Sequence, residues 1–114
     1  MTKNYRTTKA LAHAHDTLMP LLSAMFTEFK DLSKKKPEAA VSNNKIFVVN
    51  RLLEKVREIL GGESSIEYLD LLNADDVPQV SDVTLMLSQY VAAMTGFRDK
   101  YYGWDGANHD WFTT

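Results

Sequence analysis

Apolar residues between positions 80 and 102 recur every three or four residues without interruption. The members of this row are Val80, Val83, Leu87, Tyr90, Met94, Phe97 and Tyr101. Steps that alternate between three and four place all of them along one face of an α-helix, as in a heptad repeat. Leu85 and Ala92 lie on another side, so little of the helix surface is wholly polar. The pattern predicts a helix contacted by several others in a bundle.

The same alternation occurs in the segments 5–32 and 44–60, which predicts two further long helices. The first row is Leu11, His15, Leu18, Leu22, Met25, Phe29 and Leu32, and the second is Ile46, Val49, Leu53, Val56 and Leu60. Pro20 lies within the first helix, away from its apolar row. Because a proline there removes one backbone donor, we expect a bend and not an end of the helix.

A short fourth helix is predicted over 65–73, since Ser64 and Glu67 have the spacing of a capping box. The tail 103–114 follows the last helix and shows no helical pattern. We therefore predict a single all-α domain over 1–114, an irregular or up-down bundle of three long helices and one short one, with an aromatic C-terminal tail.

Composition narrows the chemistry. The chain has 114 residues, 45% of them apolar, and no cysteine. Disulfides, thiolate metal sites and thiol nucleophiles are therefore excluded, and a reducing cytoplasmic location is favoured. No apolar run approaches the roughly 20 residues that cross a bilayer, so we expect no membrane contact. The sequence indicates neither a metal site nor a cofactor.

The charge is unevenly distributed along the chain. Residues 1–62 carry eleven Lys and Arg against six acids, whereas residues 63–114 carry two against nine. Complementary faces within the fold, or across an antiparallel homodimer, would explain this asymmetry. The alternative is a basic surface that binds phosphate or nucleic acid. Its members would be Lys3, Arg6, Lys9, Lys30, Lys34, Lys35 and Lys36, with the last three as the candidate anion-binding group.

Aromatic residues concentrate at the C-terminus, and both tryptophans lie in the last eleven residues. The candidate partner-binding residues there are Tyr101, Tyr102, Trp104, Trp111 and Phe112. Large rings are seldom left wholly in water, so the tail either folds back over the bundle or docks into a second subunit or a partner protein.

The stretch from His15 to Leu21 reads His-Asp-Thr-Leu-Met-Pro-Leu. It resembles the His-Asp/Glu-x-x-x-Pro-Leu phosphoacceptor box of histidine-kinase dimerisation domains. The resemblance implies that His15 accepts a phosphoryl group, that Asp16 acts as a base and that Pro20 bends the helix. The position of His15 in the apolar row instead predicts a packed histidine within the core.

No convergent set of catalytic residues is evident, and the sequence does not predict an enzyme. The expected function is a non-catalytic protein-binding module, such as an adaptor, an inhibitor or a small subunit of a larger assembly. It would act through a helical and aromatic-tail interface with a protein partner or a second copy. Phosphotransfer through His15 and nucleic-acid binding by the basic N-terminal half are the alternatives.

Overall fold

A computed structural model describes residues 5–114, and this part of the chain is mostly helical. Three α-helices and a small two-stranded sheet form it: α1 (Lys9–Lys35), α2 (Asn43–Leu60), α3 (Val80–Tyr101), β1 (Tyr102–Trp104) and β2 (His109–Trp111). The prediction of a broadly all-α fold is confirmed, with the sheet as an addition. No helix among the described residues is both long and apolar enough to span a membrane.

The apolar row of α3 is its buried face. Every predicted member is buried, namely Val80, Val83, Leu87, Tyr90, Met94, Phe97 and Tyr101. The predicted row of α2 is also buried throughout, with Ile59 added to it. In α1, burial is complete at Ala12, His15 and Leu22 and partial elsewhere along the row. The helical period therefore predicted which sides of α2 and α3 form the core.

Local capping sets where α1 and α2 begin. The Thr8 hydroxyl accepts from the backbone N–H of Leu11 at 3.1 Å, and the Ser42 hydroxyl accepts from that of Lys45 at 3.2 Å. Each supplies an acceptor for an N–H that lacks a partner within its helix. α1 thus starts at Lys9, whereas the sequence pattern predicted a start near residue 5. It continues through Pro20, whose side is exposed, and the proline does not end the helix.

The helix predicted over 65–73 forms only over the first part of that segment. A 3-10 helix covers only Ser64–Tyr68, and an extended stretch follows. Side chains of the long helices bind the backbone of that stretch. The Asn50 side chain donates to the Leu72 carbonyl at 2.8 Å and accepts from the Leu72 N–H at 2.9 Å. Since tertiary partners satisfy these backbone groups, the segment need not be helical.

Two further side chains hold the same stretch. The Arg57 guanidinium donates to the carbonyl of Leu69, and the Tyr90 hydroxyl donates to the carbonyl of Asp70 at 2.7 Å. Arg57 belongs to α2 and Tyr90 to α3, so the segment connects these two helices. Leu69 is buried and belongs to the hydrophobic core.

The chain before α2 pairs with the chain before α3. The Val41 N–H donates to the Pro78 carbonyl and the Val80 N–H donates to the Ala39 carbonyl, both at 2.9 Å. The Ser81 N–H donates to the Pro37 carbonyl, also at 2.9 Å. These bonds tie the link between α1 and α2 to the start of α3. They satisfy backbone groups that neither connection could pair alone.

The C-terminal tail is a hairpin that folds back onto the start of the chain. β1 pairs with β2 antiparallel, Tyr102 opposite Trp111 and Trp104 opposite His109. Beyond β2, the Thr7 N–H donates to the Phe112 carbonyl and the Thr114 N–H donates to the Thr7 carbonyl, both at 2.9 Å. The tail is therefore part of the fold and connects its two ends.

Shortening the buried Leu53 to alanine tests the α2 core. Leu53 is fully buried, so Leu53→Ala should lower the free energy of unfolding by about 2 to 5 kcal/mol through lost transfer energy and a residual cavity. Leu85 is 64% exposed on α3 and serves as the matched control. Leu85→Ala should change the value by no more than about 0.5 kcal/mol. Urea unfolding followed by circular dichroism measures both, and equal losses would refute this core assignment.

The buried Tyr90 predicts a pH dependence. Burial, partly offset by Arg57, raises the pKa of Tyr90 from 10.0 to about 12. The unfolded chain therefore releases this proton at lower pH than the native chain. The contribution of the Tyr90 phenol to the free energy of unfolding is complete below about pH 10 and is lost between about pH 10 and 12. Urea unfolding at several pH values across this window should show a steeper loss for the native chain than for Tyr90→Phe. Equal slopes would contradict the assignment.

Candidate functional site

An apolar groove of about 640 Å³ follows the line where α1 and α2 meet. Apolar side chains from both helices form most of its lining: Leu18, Leu21, Ala24, Met25, Phe29 and Leu32 from α1, and Val48, Val49 and Leu52 from α2. Leu21 is 55% exposed and Val48 is 43% exposed. Large apolar side chains open to water within one concave surface are typical of a binding site.

The groove exists because α2 carries apolar residues on more than its core face. The buried row includes Val49 and Leu53, whereas Val48 and Leu52 lie one residue earlier and turn toward α1 and the open side. Asn50 and Arg57 lie on the far side of the helix, where they hold the segment after the 3-10 helix. α2 therefore serves three neighbours with three sides: the core, the groove and that segment.

The open edge of the groove is positively charged. Its exposed charged residues are Lys45, Arg51 and Lys55 from α2 and Glu28 from α1. Lys55 lies 3.8 Å from Glu58, but both side chains are well exposed, so this pair contributes little stability. Within residues 5–114, neither Lys45 nor Arg51 has an ion-pair partner. A ligand in the groove would therefore meet a cationic edge.

A smaller groove of about 350 Å³ continues from the first one toward the start of α1. Leu18 and Lys55 line both, and Leu11, Ala14 and Ile59 add further apolar surface. The two grooves together follow most of the length of the α1–α2 pair. Both grooves are open to solvent and neither is an enclosed cavity; we call the larger one the α1–α2 trough.

The structure separates the five candidate partner-binding residues of the tail. Tyr101 and Phe112 are buried, each with 9% exposure, and Tyr102 and Trp111 are half-buried. The Trp111 ring packs 5.1 Å from the His15 ring, and its indole N–H points at the Asp16 carboxylate at 3.2 Å. Most of this aromatic set therefore holds the hairpin against the helices.

Trp104 is different because 58% of its surface is exposed. It ends β1 and packs edge-on against the His109 ring, with 5.3 Å between ring centres. The turn between the strands is ordered by Asp105, whose carboxylate accepts from the N–H groups of Asn108 at 2.7 Å and Ala107 at 2.8 Å. These two bonds hold the pKa of Asp105 below its usual value. The hairpin thus presents Trp104 on a defined turn.

His15 lies in the core, with 2% exposure. Its Nε2 is 2.7 Å from the carbonyl oxygen of Met94, and its ring stacks on Phe97 with 5.6 Å between centres. A phosphoacceptor histidine must present a ring nitrogen to a partner enzyme. The surroundings of His15 are those of a packing residue that also satisfies a carbonyl of α3. Asp16 next to it is exposed and engaged with Trp111.

The basic candidates are spread along the chain, with Lys9 at the first residue of α1 and Lys34 and Lys35 in its last turn. Lys34, Lys35 and Lys36 are exposed at the end of α1, and Lys34 lies 3.8 Å from Asp31. Cations at this position also interact favourably with the negative, C-terminal end of the helix dipole. Arg6 donates to the Thr113 carbonyl at 3.4 Å, which places it beside the tail. Lys3 lies outside the described residues.

Glu63, Lys100 and Tyr101 form a polar cluster that the sequence did not reveal. The Glu63 carboxylate accepts from the Lys100 ammonium at 3.2 Å and from the Tyr101 hydroxyl at 2.8 Å. Hydrogen bonding to Tyr101 and Glu63 raises the pKa of Lys100, so the amine stays protonated. Burial and the bond to Glu63 raise the pKa of Tyr101, so the phenol stays neutral. Neither group is thereby prepared as a nucleophile or a base at neutral pH.

Among residues 5–114, no group of three or more His, Asp or Glu side chains converges to hold a metal ion. No family model matches the chain, and neither the curated proteins nor the solved structures contain a significant match.

Sequence reasoning missed the groove, although a signal for it was present. Leu21 and Val48 line the groove and lie outside the two apolar rows that predict the core. Surplus apolar residues beside a complete core row indicate a second apolar face. The sequence could not show that the surplus residues of α1 and α2 would face one another.

The burial of His15 predicts slow hydrogen exchange at its ring. In deuterated water, the C2 hydrogen of His15 should exchange at least about tenfold more slowly than those of the exposed His13 and His109, because water must reach the ring. Mass spectrometry of peptides from the native chain measures all three rates, with the chain unfolded in urea as the reference. A His15 rate equal to that of His13 would contradict the packing and restore the phosphoacceptor interpretation.

Proposed function

We propose that the chain is a helical bundle that acts as a non-catalytic protein-binding module, such as an adaptor, an inhibitor or a small subunit of a larger assembly. The observation that carries this proposal is the trough between α1 and α2, where Leu21 and Val48 are exposed in one concave apolar surface. Leaving such a surface in water has a free-energy cost that covering it would remove.

Trp104 is the second element of the proposed interface. Tryptophan is a frequent anchor in protein interfaces because its large ring buries much apolar area and its N–H can bind a partner acceptor. Of the tail residues predicted to bind a partner, Trp104 has the largely exposed ring. The other four contribute to the same interface by holding the hairpin in place.

The states of the polar clusters favour binding over chemistry. The His15 ring lies in the core, with its Nε2 beside the Met94 carbonyl. Hydrogen bonds to Tyr101 and Glu63 raise the pKa of Lys100, which keeps the amine protonated, and burial and the bond to Glu63 raise the pKa of Tyr101, which keeps the phenol neutral. The groove itself is lined mainly by aliphatic and aromatic side chains. Apolar surfaces of this kind bind without reacting, which is why we favour an adaptor or subunit.

Capture of a partner by the intact chain tests the proposal. The chain would be immobilised and cross-linked in an extract of the organism that encodes it, in parallel with Leu21→Ser/Val48→Ser, Trp104→Ala and Leu85→Ser. A specific partner should be retained by the native chain and by Leu85→Ser, and retained at least about fivefold less by the first two. Leu85 is the control because it is equally apolar and 64% exposed but does not line the trough.

Absolute mass from light scattering after size exclusion distinguishes a foreign partner from a second copy. A dimer that Leu21→Ser/Val48→Ser converts to monomer would show that the trough binds another copy of the chain. Retention of the same proteins by the native chain and every variant would contradict the proposal.

A further inference from the structure

We infer that the α1–α2 trough binds an amphipathic helix of a partner protein whose apolar stripe is flanked by acidic residues. The inference rests on the proposed protein-binding function and adds the chemistry of the partner. It uses the shape of the trough, the spacing of its lining residues and the charge of its edge.

The shape fits a helix. On α1 the lining extends from Leu18 to Leu32, a distance of about 20 Å at ~1.5 Å per residue. A docked helix of three to four turns has the same length. The trough lies between two helices that already pack together, so a further helix placed in it would make apolar contacts with α1 on one side and α2 on the other.

The spacing of the lining residues supports the same occupant. Along α2 the lining residues include the row Lys45, Val48, Leu52 and Lys55, at steps of three, four and three, and Val49 and Arg51 lie beside this row. Along α1 the members include Leu18, Leu21, Met25, Phe29 and Leu32, again at steps of three or four. Holes between residues with this spacing receive side chains that recur at three and four on the incoming helix.

The positive charge at the edge of the trough predicts which residues lie beside the apolar stripe of the bound helix. Three cations, Lys45, Arg51 and Lys55, stand on the α2 side, and Glu28 is the one carboxylate among the lining residues. Two of the cations have no ion-pair partner within residues 5–114. Glutamate or aspartate beside the apolar stripe of a docked helix would meet these cations, whereas lysine there would be repelled.

Synthetic helices provide the test. The probe is a fluorescein-labelled peptide of about 14 residues, with leucines at steps of three and four and glutamates on both sides of the stripe. A matched peptide carries lysine at each glutamate position, and a scrambled peptide keeps the composition without the stripe. Fluorescence anisotropy measures the Kd of each peptide with the full-length chain.

The glutamate peptide should bind at least about tenfold more tightly than the lysine peptide, which corresponds to about 1.4 kcal/mol. Lys45→Glu/Arg51→Glu/Lys55→Glu should reverse this preference. Leu21→Ser/Val48→Ser should weaken binding of the glutamate peptide at least about tenfold, and Leu85→Ser should leave it unchanged. All of these side chains are exposed or partly exposed, and circular dichroism checks that each variant is folded.

Two results would overturn the inference. Equal affinity for the glutamate and lysine peptides would show that the trough does not select acidic flanks. Equal affinity for the glutamate and scrambled peptides would show that it does not select an amphipathic helix. Both leave the proposed binding function intact, since the capture experiment does not depend on the peptides. Retention of the same proteins by the native chain and every variant in the capture experiment would instead refute the proposed function, whatever the peptide affinities are.

Discussion

The structure depends on burial of the apolar face of α3, because α1, α2 and the C-terminal hairpin pack against that helix and the segment after the 3-10 helix is bound by one of its side chains. α1 packs against α3, and the Thr84 hydroxyl of α3 lies 3.2 Å from the Phe29 carbonyl oxygen of α1. The Tyr90 hydroxyl reaches the segment after the 3-10 helix. At its end, α3 passes directly into the hairpin, whose Phe112 N–H donates to the Tyr101 carbonyl at 2.6 Å.

α1 and α2 carry more apolar residues than their contacts with the central helix α3 can bury. α1 and α2 each direct one apolar row at α3, but both carry further apolar residues where they meet each other. Leu21 and Val48 have no helix above them within the described chain, and they remain 55% and 43% exposed. The trough is thus a consequence of two broad apolar faces packed against one central helix. Its exposed apolar surface and cationic edge are the features on which the proposed interaction rests.

The residues most suggestive of chemistry have structural partners instead. His15 supports a carbonyl of α3 and packs between Phe97 and Trp111. Glu63 links the chain before the 3-10 helix to Lys100 and Tyr101 at the end of α3. Because buried polar groups cost free energy when unpaired, such residues are found wherever a helix end or a connection enters a core. Motif resemblance alone does not separate that role from catalysis.

The sequence by itself determined the three long helices and the core faces of α2 and α3, since helical periodicity is a local property that burial of one face makes visible. Tertiary structure alone decided the segment 65–73, whose helical pattern was overridden when Asn50 took both backbone groups of Leu72. It also decided the hairpin, which pairs with Thr7 from the other end of the chain. The trough belongs to the same class. Exposure of Leu21 and Val48 depends on which helices pack side by side, and no local pattern encodes that relation.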